Sequence, residues 1–221
     1  MHMKTCLPFK RDDHVYSSKA FAELVKDAVR FFNGTPVLAL PLTESFSGSG
    51  VYAIYATQTR GIYAPFGQTI NRTSWNVPIY VGKAVSPGWR QNRTAGSTQS
   101  SNDLYGRLTQ HARNIGLGKG LKVSDFYCRF AIFEGGAEDM IAAIEAALIA
   151  LHAPLWNSVV DGFGNHDPGK GRLASSPSAW DVLHPGRPWA ARLTGRGDDL
   201  SSVTRRVKDY FVGRVKAHAD L

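Results

Sequence analysis

The sequence predicts an α+β protein: a small central sheet of three mainly antiparallel strands, flanked by helices. Three observations point there. Residues 51–56, 79–81 and 126–133 are short runs of β-branched and aromatic residues with the length of strands. Residues 17–32, 102–114, 137–152 and 201–215 repeat their apolar positions at helical spacing. Turn-forming clusters of glycine, serine and proline separate these runs. The 221 residues suffice to bury a sizeable core. With no internal repeat and no clear linker, a single domain over 1–221 is expected.

Helix 17–32 places Phe21, Leu24, Val25, Ala28, Val29 and Phe32 on one stripe, with Ser17 or Ser18 as its cap and Gly34 as its stop. Its apolar stripe is expected to pack on the core, and Lys19, Lys26 and Arg30 to stay solvated. The first strand follows the turn chemistry of Ser47-Gly48-Ser49-Gly50. An insert, 57–76, then carries Arg60, Tyr63, Phe66, Arg72 and Trp75. This interleaving of basic and aromatic residues suits a DNA-contacting loop and equally a loop packed on the core; both readings stand. The second strand ends in Tyr80-Val81-Gly82-Lys83, where Gly82 is expected to permit a sharp bend.

Residues 84–101 are polar and basic. Arg90, Gln91 and Arg93 are of the types that hydrogen-bond to base edges, so DNA contact is expected of them, whereas 97–101 has the composition of a disordered segment. Helix 102–114 buries Leu104 and Leu108, with Ile115 just beyond, and projects Arg107 and His111, four residues apart, from one face. In 126–133, Phe126, Cys128, Phe130 and Ile132 face one way and Tyr127, Arg129 and Ala131 the other. Helix 137–152 is the most apolar, with Met140, Ile141, Ile144, Leu148 and Leu151 on its buried side.

Glu145 interrupts that apolar surface. A carboxylate there needs a compensating partner, either a metal ion or a salt bridge with Arg107 or Arg129. The metal is preferred, because perturbed acids cluster at functional sites. After Asn157 the chain turns loop-like. Asp161, His166 and Asp167 read as turn residues, near DNA through Lys170 and Arg172. Trp180, Val182, Leu183, Trp189 and Leu193 suggest a packed return segment. Helix 201–215 then buries Val203, Val207, Tyr210, Phe211 and Val215.

A formal net charge of +8 suits a polyanionic partner, most simply nucleic acid, although charge alone also fits a merely basic protein. Cys6 and Cys128 lack metal-ligand spacing, so a reduced, cytoplasmic protein without zinc is expected. Residues 1–16 lack a signal-peptide core, and no stretch approaches a membrane span.

The ordered set Tyr52, Tyr80, Arg107, His111, Glu145 and Asn157 resembles that of the GIY-YIG nucleases. These carry a tyrosine in each of two strands, an arginine and a histidine or tyrosine on the next helix, a glutamate on a later helix and an asparagine after it. Further runs, PIYVGKA at 78–84, GWRQ at 88–91, EAALI at 145–149, PLWNSVVDGFGNH at 154–166 and HPGR at 184–187, look like one restriction endonuclease branch, isoschizomers of SacII that cut within CCGCGG.

The resemblance implies a catalytic core over 48–158 with a C-terminal extension, 159–221. It implies a type II restriction endonuclease that cuts double-stranded DNA with Mg²⁺, and a companion DNA methyltransferase. A homodimer matches the symmetry of a palindrome. In this picture Glu145 holds Mg²⁺, Arg107 stabilises phosphate charge, and Tyr52 and Tyr80 flank the phosphate with Lys83 in support. A phenolate base needs a nearby cation, which Lys83 or His111 supplies, or His111 relays the proton itself. Asn157 orients a phosphate or a catalytic group. Repair or homing nucleases of the same superfamily, and a non-catalytic basic DNA-binding protein, are the alternatives.

The chain also contains a second candidate for the opening tyrosine. Gly61-Ile62-Tyr63 spells the motif literally, but Ala64-Pro65 follows, and proline demotes the run to loop or edge. Tyr52, in an unbroken strand pattern, therefore takes the role, and loss of the Tyr63 hydroxyl is expected to cost little turnover, with at most some DNA affinity lost.

Overall fold

In the computed structural model, which describes residues 9–85 and 103–219, the sheet has four strands, one more than the sequence predicts. In chain order the elements are α1 (Lys19–Gly34), β1 (Val37–Ala39), β2 (Ser49–Ala56), β3 (Tyr80–Ala84), α2 (Asp103–Leu117), β4 (Phe126–Phe133), α3 (Ile141–His152), α4 (Leu155–Ser158), α5 (Ala179–Leu183) and α6 (Leu200–Ala219). The strand order is β1-β4-β2-β3, with every pairing antiparallel. The added strand, β1, is three residues long and lies at an edge, with Leu38 and Ala39 exposed. So short and exposed a run shows no apolar alternation.

The central strand β2 is buried along its whole length, and alternation divides its side chains between two cores. Tyr52, Ile54 and Ala56 face the larger one with Leu104 and Leu108 of α2, Trp156, Trp180, and Val203, Val207 and Phe211 of α6. Val51, Ala53 and Tyr55 face the smaller one, closed by Phe32 of α1 and Ile141, Ile144 and Leu148 of α3. Residues of the C-terminal extension thus share a core with the sheet. Among the described residues no helix is long and apolar enough to cross a membrane.

Several elements differ from expectation. Ser18 caps α1 by accepting from the Phe21 amide at 3.1 Å. Only the C-terminal half of its stripe is covered, however: Phe21 and Leu24 are 48% and 55% exposed. The helix predicted from residue 137 begins at Ile141, after a 3₁₀ turn over Gly135–Met140, and Leu151, expected to be buried, is 60% exposed. In the insert, Tyr63, Phe66 and Ile70 are core residues, while Trp75 packs edge-on against Tyr55. Its aromatic residues therefore serve packing. Arg60 and Arg72 stay exposed. Cys6 and the side chain of Val215 lie outside what is described; Cys128 is a free, buried thiol, and burial pushes its pKa up to about 12.

Candidate active site

Sheet register sets the two tyrosines. Tyr52 sits opposite Gly82 of β3 and Phe130 of β4, and Tyr80 sits opposite Ile54. Both rings fall on the α2 face, with centroids 6.2 Å apart. A Cβ at Gly82 would collide with the Tyr52 ring and hydroxyl. Glycine is needed there for close approach, and not for the sharp bend the sequence suggests.

From α2, Arg107 and His111 enter the same space. Fully buried His111 places Nε2 at 2.6 Å from the hydroxyl of fully buried Tyr52. Its other nitrogen, Nδ1, is buried without a hydrogen-bond partner. Phe163 stacks on the imidazole at 4.5 Å, and Tyr80 meets it edge-on at 5.3 Å. Burial drives the His111 pKa well below the usual value, and the charges of Arg107, His166 and Arg187 add to this; the ring is neutral near pH 7. Burial likewise raises Tyr52 strongly and Tyr80 less. The nearby Arg107 guanidinium opposes the rise in both, and Glu145 adds to it. A standing phenolate is therefore unfavourable in the free protein.

Glu145 and Lys83 occupy the opposite side of β3, toward α3. Their ion pair is mostly screened from solvent. The compensating cation for this carboxylate is thus Lys83, in place of Arg107 or Arg129. Among the described residues no three His, Cys, Asp or Glu side chains gather as a metal cluster, so the donor here is one carboxylate. That suits Mg²⁺, which takes one or two carboxylates and fills its shell with water and phosphate oxygens.

Asn157, at the short helix α4, has a more specific task than the sequence suggests. Its Oδ1 accepts from the Val81 amide and its Nδ2 donates to the Val81 carbonyl, each at 2.8 Å. The side chain acts as an extra sheet partner for β3, bracing the strand between Tyr80 and Lys83.

Arg107 is held by a loop that reads as turns in the sequence. Its guanidinium donates to the Gly164 carbonyl at 2.7 Å and to Nε2 of His166 at 2.6 Å. A Cβ on Gly164 would lie 2.5 Å from the Tyr80 hydroxyl, so glycine is required where this loop meets the tyrosine. The run at 154–166 ends in Gly164-Asn165-His166, but neither its spacing nor its resemblance distinguishes His166 from a turn residue. Arg90, Gln91 and Arg93 lie outside the described residues.

The literal Gly61-Ile62-Tyr63 run belongs to another pair. Tyr63 is buried, its hydroxyl 2.6 Å from Nε2 of His184 and accepting from the Trp156 indole at 2.9 Å. Nδ1 of His184 lies 2.9 Å from the Lys119 carbonyl, which assigns it the proton and leaves Nε2 to accept from Tyr63. Among the described residues the hydrogen bonds of this pair run to an indole and a backbone carbonyl and to no charged side chain, so it is a cross-brace of the core. With two groups dependent on the Tyr63 hydroxyl, its loss carries a cost in stability that the sequence does not reveal.

No curated protein matches the chain. The family model described as the Eco29kI GIY-YIG domain matches residues 44–211, a span that takes in β2, β3, α2, α3 and the loop around His166. The chain therefore belongs to the Eco29kI GIY-YIG domain family of restriction endonucleases, and is a nuclease of that fold.

Proposed function

We propose that the protein is a type II restriction endonuclease that hydrolyses both strands of DNA at CCGCGG, with Mg²⁺ and as a homodimer. The observation that carries this reading is the buried Tyr52–His111 hydrogen bond with Arg107 beside it. A neutral base, a hydroxyl that can pass a proton to it, and a cation for phosphate lie together. A cytoplasmic location and a companion methyltransferase belong to the same proposal.

In the reaction, a water attacks the scissile phosphorus and the bond to the 3′ oxygen breaks, its electron pair leaving with that oxygen, which takes up a proton from solvent. The water's proton passes to the Tyr52 oxygen while Tyr52 hands its own proton to Nε2 of neutral His111. This relay avoids a free phenolate, which burial opposes. Arg107 stabilises the charge that builds on the phosphate oxygens, and Tyr80 lies beside them. Glu145 would hold the ion, whose chemistry is to neutralise phosphate charge and lower the pKa of a bound water. Lys83 is its counter-charge in the free protein and a phosphate contact once DNA is present. Arg60, Arg72, Arg90, Gln91 and Arg93 are assigned to DNA contact.

The test is a plasmid with a single CCGCGG, incubated with Mg²⁺ beside an EDTA control, and the ends mapped. One double-strand break at that site in Mg²⁺ alone is expected. Cutting elsewhere would withdraw the specificity, and intact plasmid would withdraw the activity.

A further inference from the structure

We infer that His166 is a positioning residue for Arg107, a seventh member of the site, acting by fixing the plane of the guanidinium that receives the phosphate. This rests on the nuclease reading above. The inference begins with what His166 does not do. Its side chain is exposed and packs in neither hydrophobic core. Its hydrogen-bonding contact is with one terminal nitrogen of Arg107, Nε2 to Nη1 at 2.6 Å. The other terminal nitrogen, Nη2, donates to Gly164 O at 2.7 Å.

One loop thus supplies two acceptors to two arms of a planar fork. A guanidinium carries five N–H donors in fixed geometry, so holding two arms orients the remaining N–H bonds. An arginine on a helix surface otherwise samples many rotamers, and ordering it on substrate binding costs free energy.

The loop that carries these acceptors is itself anchored. Buried Arg187 donates to the carbonyls of Gly162 (2.9 Å), Phe163 (3.2 Å) and Asn165 (3.3 Å). It forms a two-pronged ion pair with Asp181, both contacts 2.7 Å. Its guanidinium lies over the rings of Trp180 and Trp189, 4.7 and 4.5 Å from their centroids. Phe163 fixes the loop from the other side, on His111. The buried guanidinium sets the loop, and the loop sets the exposed imidazole on the catalytic guanidinium. The role requires a neutral acceptor at Nε2; burial, Arg107 and Arg187 all lower the His166 pKa, which keeps that lone pair available.

The experiment compares wild type, His166→Ala and His166→Gln, the last restoring an acceptor. Three quantities are read: melting temperature, affinity for a CCGCGG duplex in EDTA, and single-turnover cleavage rate at saturating enzyme with Mg²⁺. For His166→Ala the rate should fall about 10-fold to 100-fold, the scale of a misplaced catalytic group, with melting temperature and affinity unchanged. His166→Gln should recover most of the lost rate. Wild-type rates in His166→Ala, equal losses in Ala and Gln, or a fall in melting temperature that accounts for the loss would each overturn the inference while leaving the nuclease reading intact. A wild-type protein that cuts no DNA would remove both.

Discussion

Two tyrosine–histidine pairs with the same 2.6 Å hydrogen bond serve different ends, and the difference lies in what stands next to each. Tyr52 and His111 have Arg107 and Tyr80 as neighbours; Tyr63 and His184 have Trp156 and a backbone carbonyl. Tyr63→Phe leaves His184 Nε2 and the Trp156 indole without their partner, so unfolding should cost about 1–3 kcal/mol less, measured by urea denaturation, while the folded enzyme keeps its cleavage rate. Glu145→Gln should abolish cleavage and leave duplex binding in EDTA close to wild type, read by gel shift, because it removes the carboxylate charge and little volume. Near-normal turnover in this variant would exclude Glu145 as the metal ligand. That Tyr52 lies on a central strand and Tyr63 on none was legible from the unbroken strand pattern against Pro65. The partner of Glu145 was not, because the pairing of β3 with α3 is a tertiary fact that no local spacing encodes.

At the scale of elements, β2, β4, α2 and α6 were legible because each buries one face or both, and burial writes the period into the sequence. β1 and the first half of α1 are exposed, so their patterns carried no such information: the three residues of β1 gave no strand signal, and Phe21 and Leu24 passed for core. The loop after Asn157 was illegible for another reason. Its order comes from Arg187, more than twenty residues away, and from backbone carbonyls common to every residue. Arg187→Met should strand the Asp181 carboxylate and three carbonyls, destabilising the protein by about 3–5 kcal/mol, the usual cost of breaking a buried ion pair from one side. Thermal melting checks this; a shift within about 0.5 kcal/mol, as for an ordinary surface change, would mean the clamp is dispensable.

For the molecule as a whole, pH and salt are the informative variables. Burial depresses the His184 pKa to about 4, against about 6.5 in an unfolded chain. Between these values the unfolded state binds the extra proton, so stability should fall as pH drops from 6.5 to 4, by about 3 kcal/mol for this ring. His111 is depressed as well and acts in the same direction. At the alkaline end burial raises Tyr52 and Tyr63. The unfolded chain ionises first above about pH 10, so stability should fall there too. Urea midpoints across this range give the profile, and a midpoint that stays flat from pH 6.5 to 4 would contradict the buried neutral histidines. With a net charge of +8, affinity for DNA should drop steeply with added salt, through counterion release. Light scattering on a CCGCGG duplex should register two chains per duplex.

The location of the chemistry is tested most directly by cleavage of a CCGCGG duplex in single turnover with Mg²⁺, comparing wild type, Tyr52→Phe and Tyr63→Phe at equal concentrations of folded protein. Tyr52→Phe should lose about 10²–10⁴ in rate, the contribution typical of a positioned proton-transfer group, and Tyr63→Phe should cut like wild type. A Tyr52→Phe enzyme that cuts normally beside a dead Tyr63→Phe enzyme would move the active site to the other tyrosine–histidine pair and contradict the account.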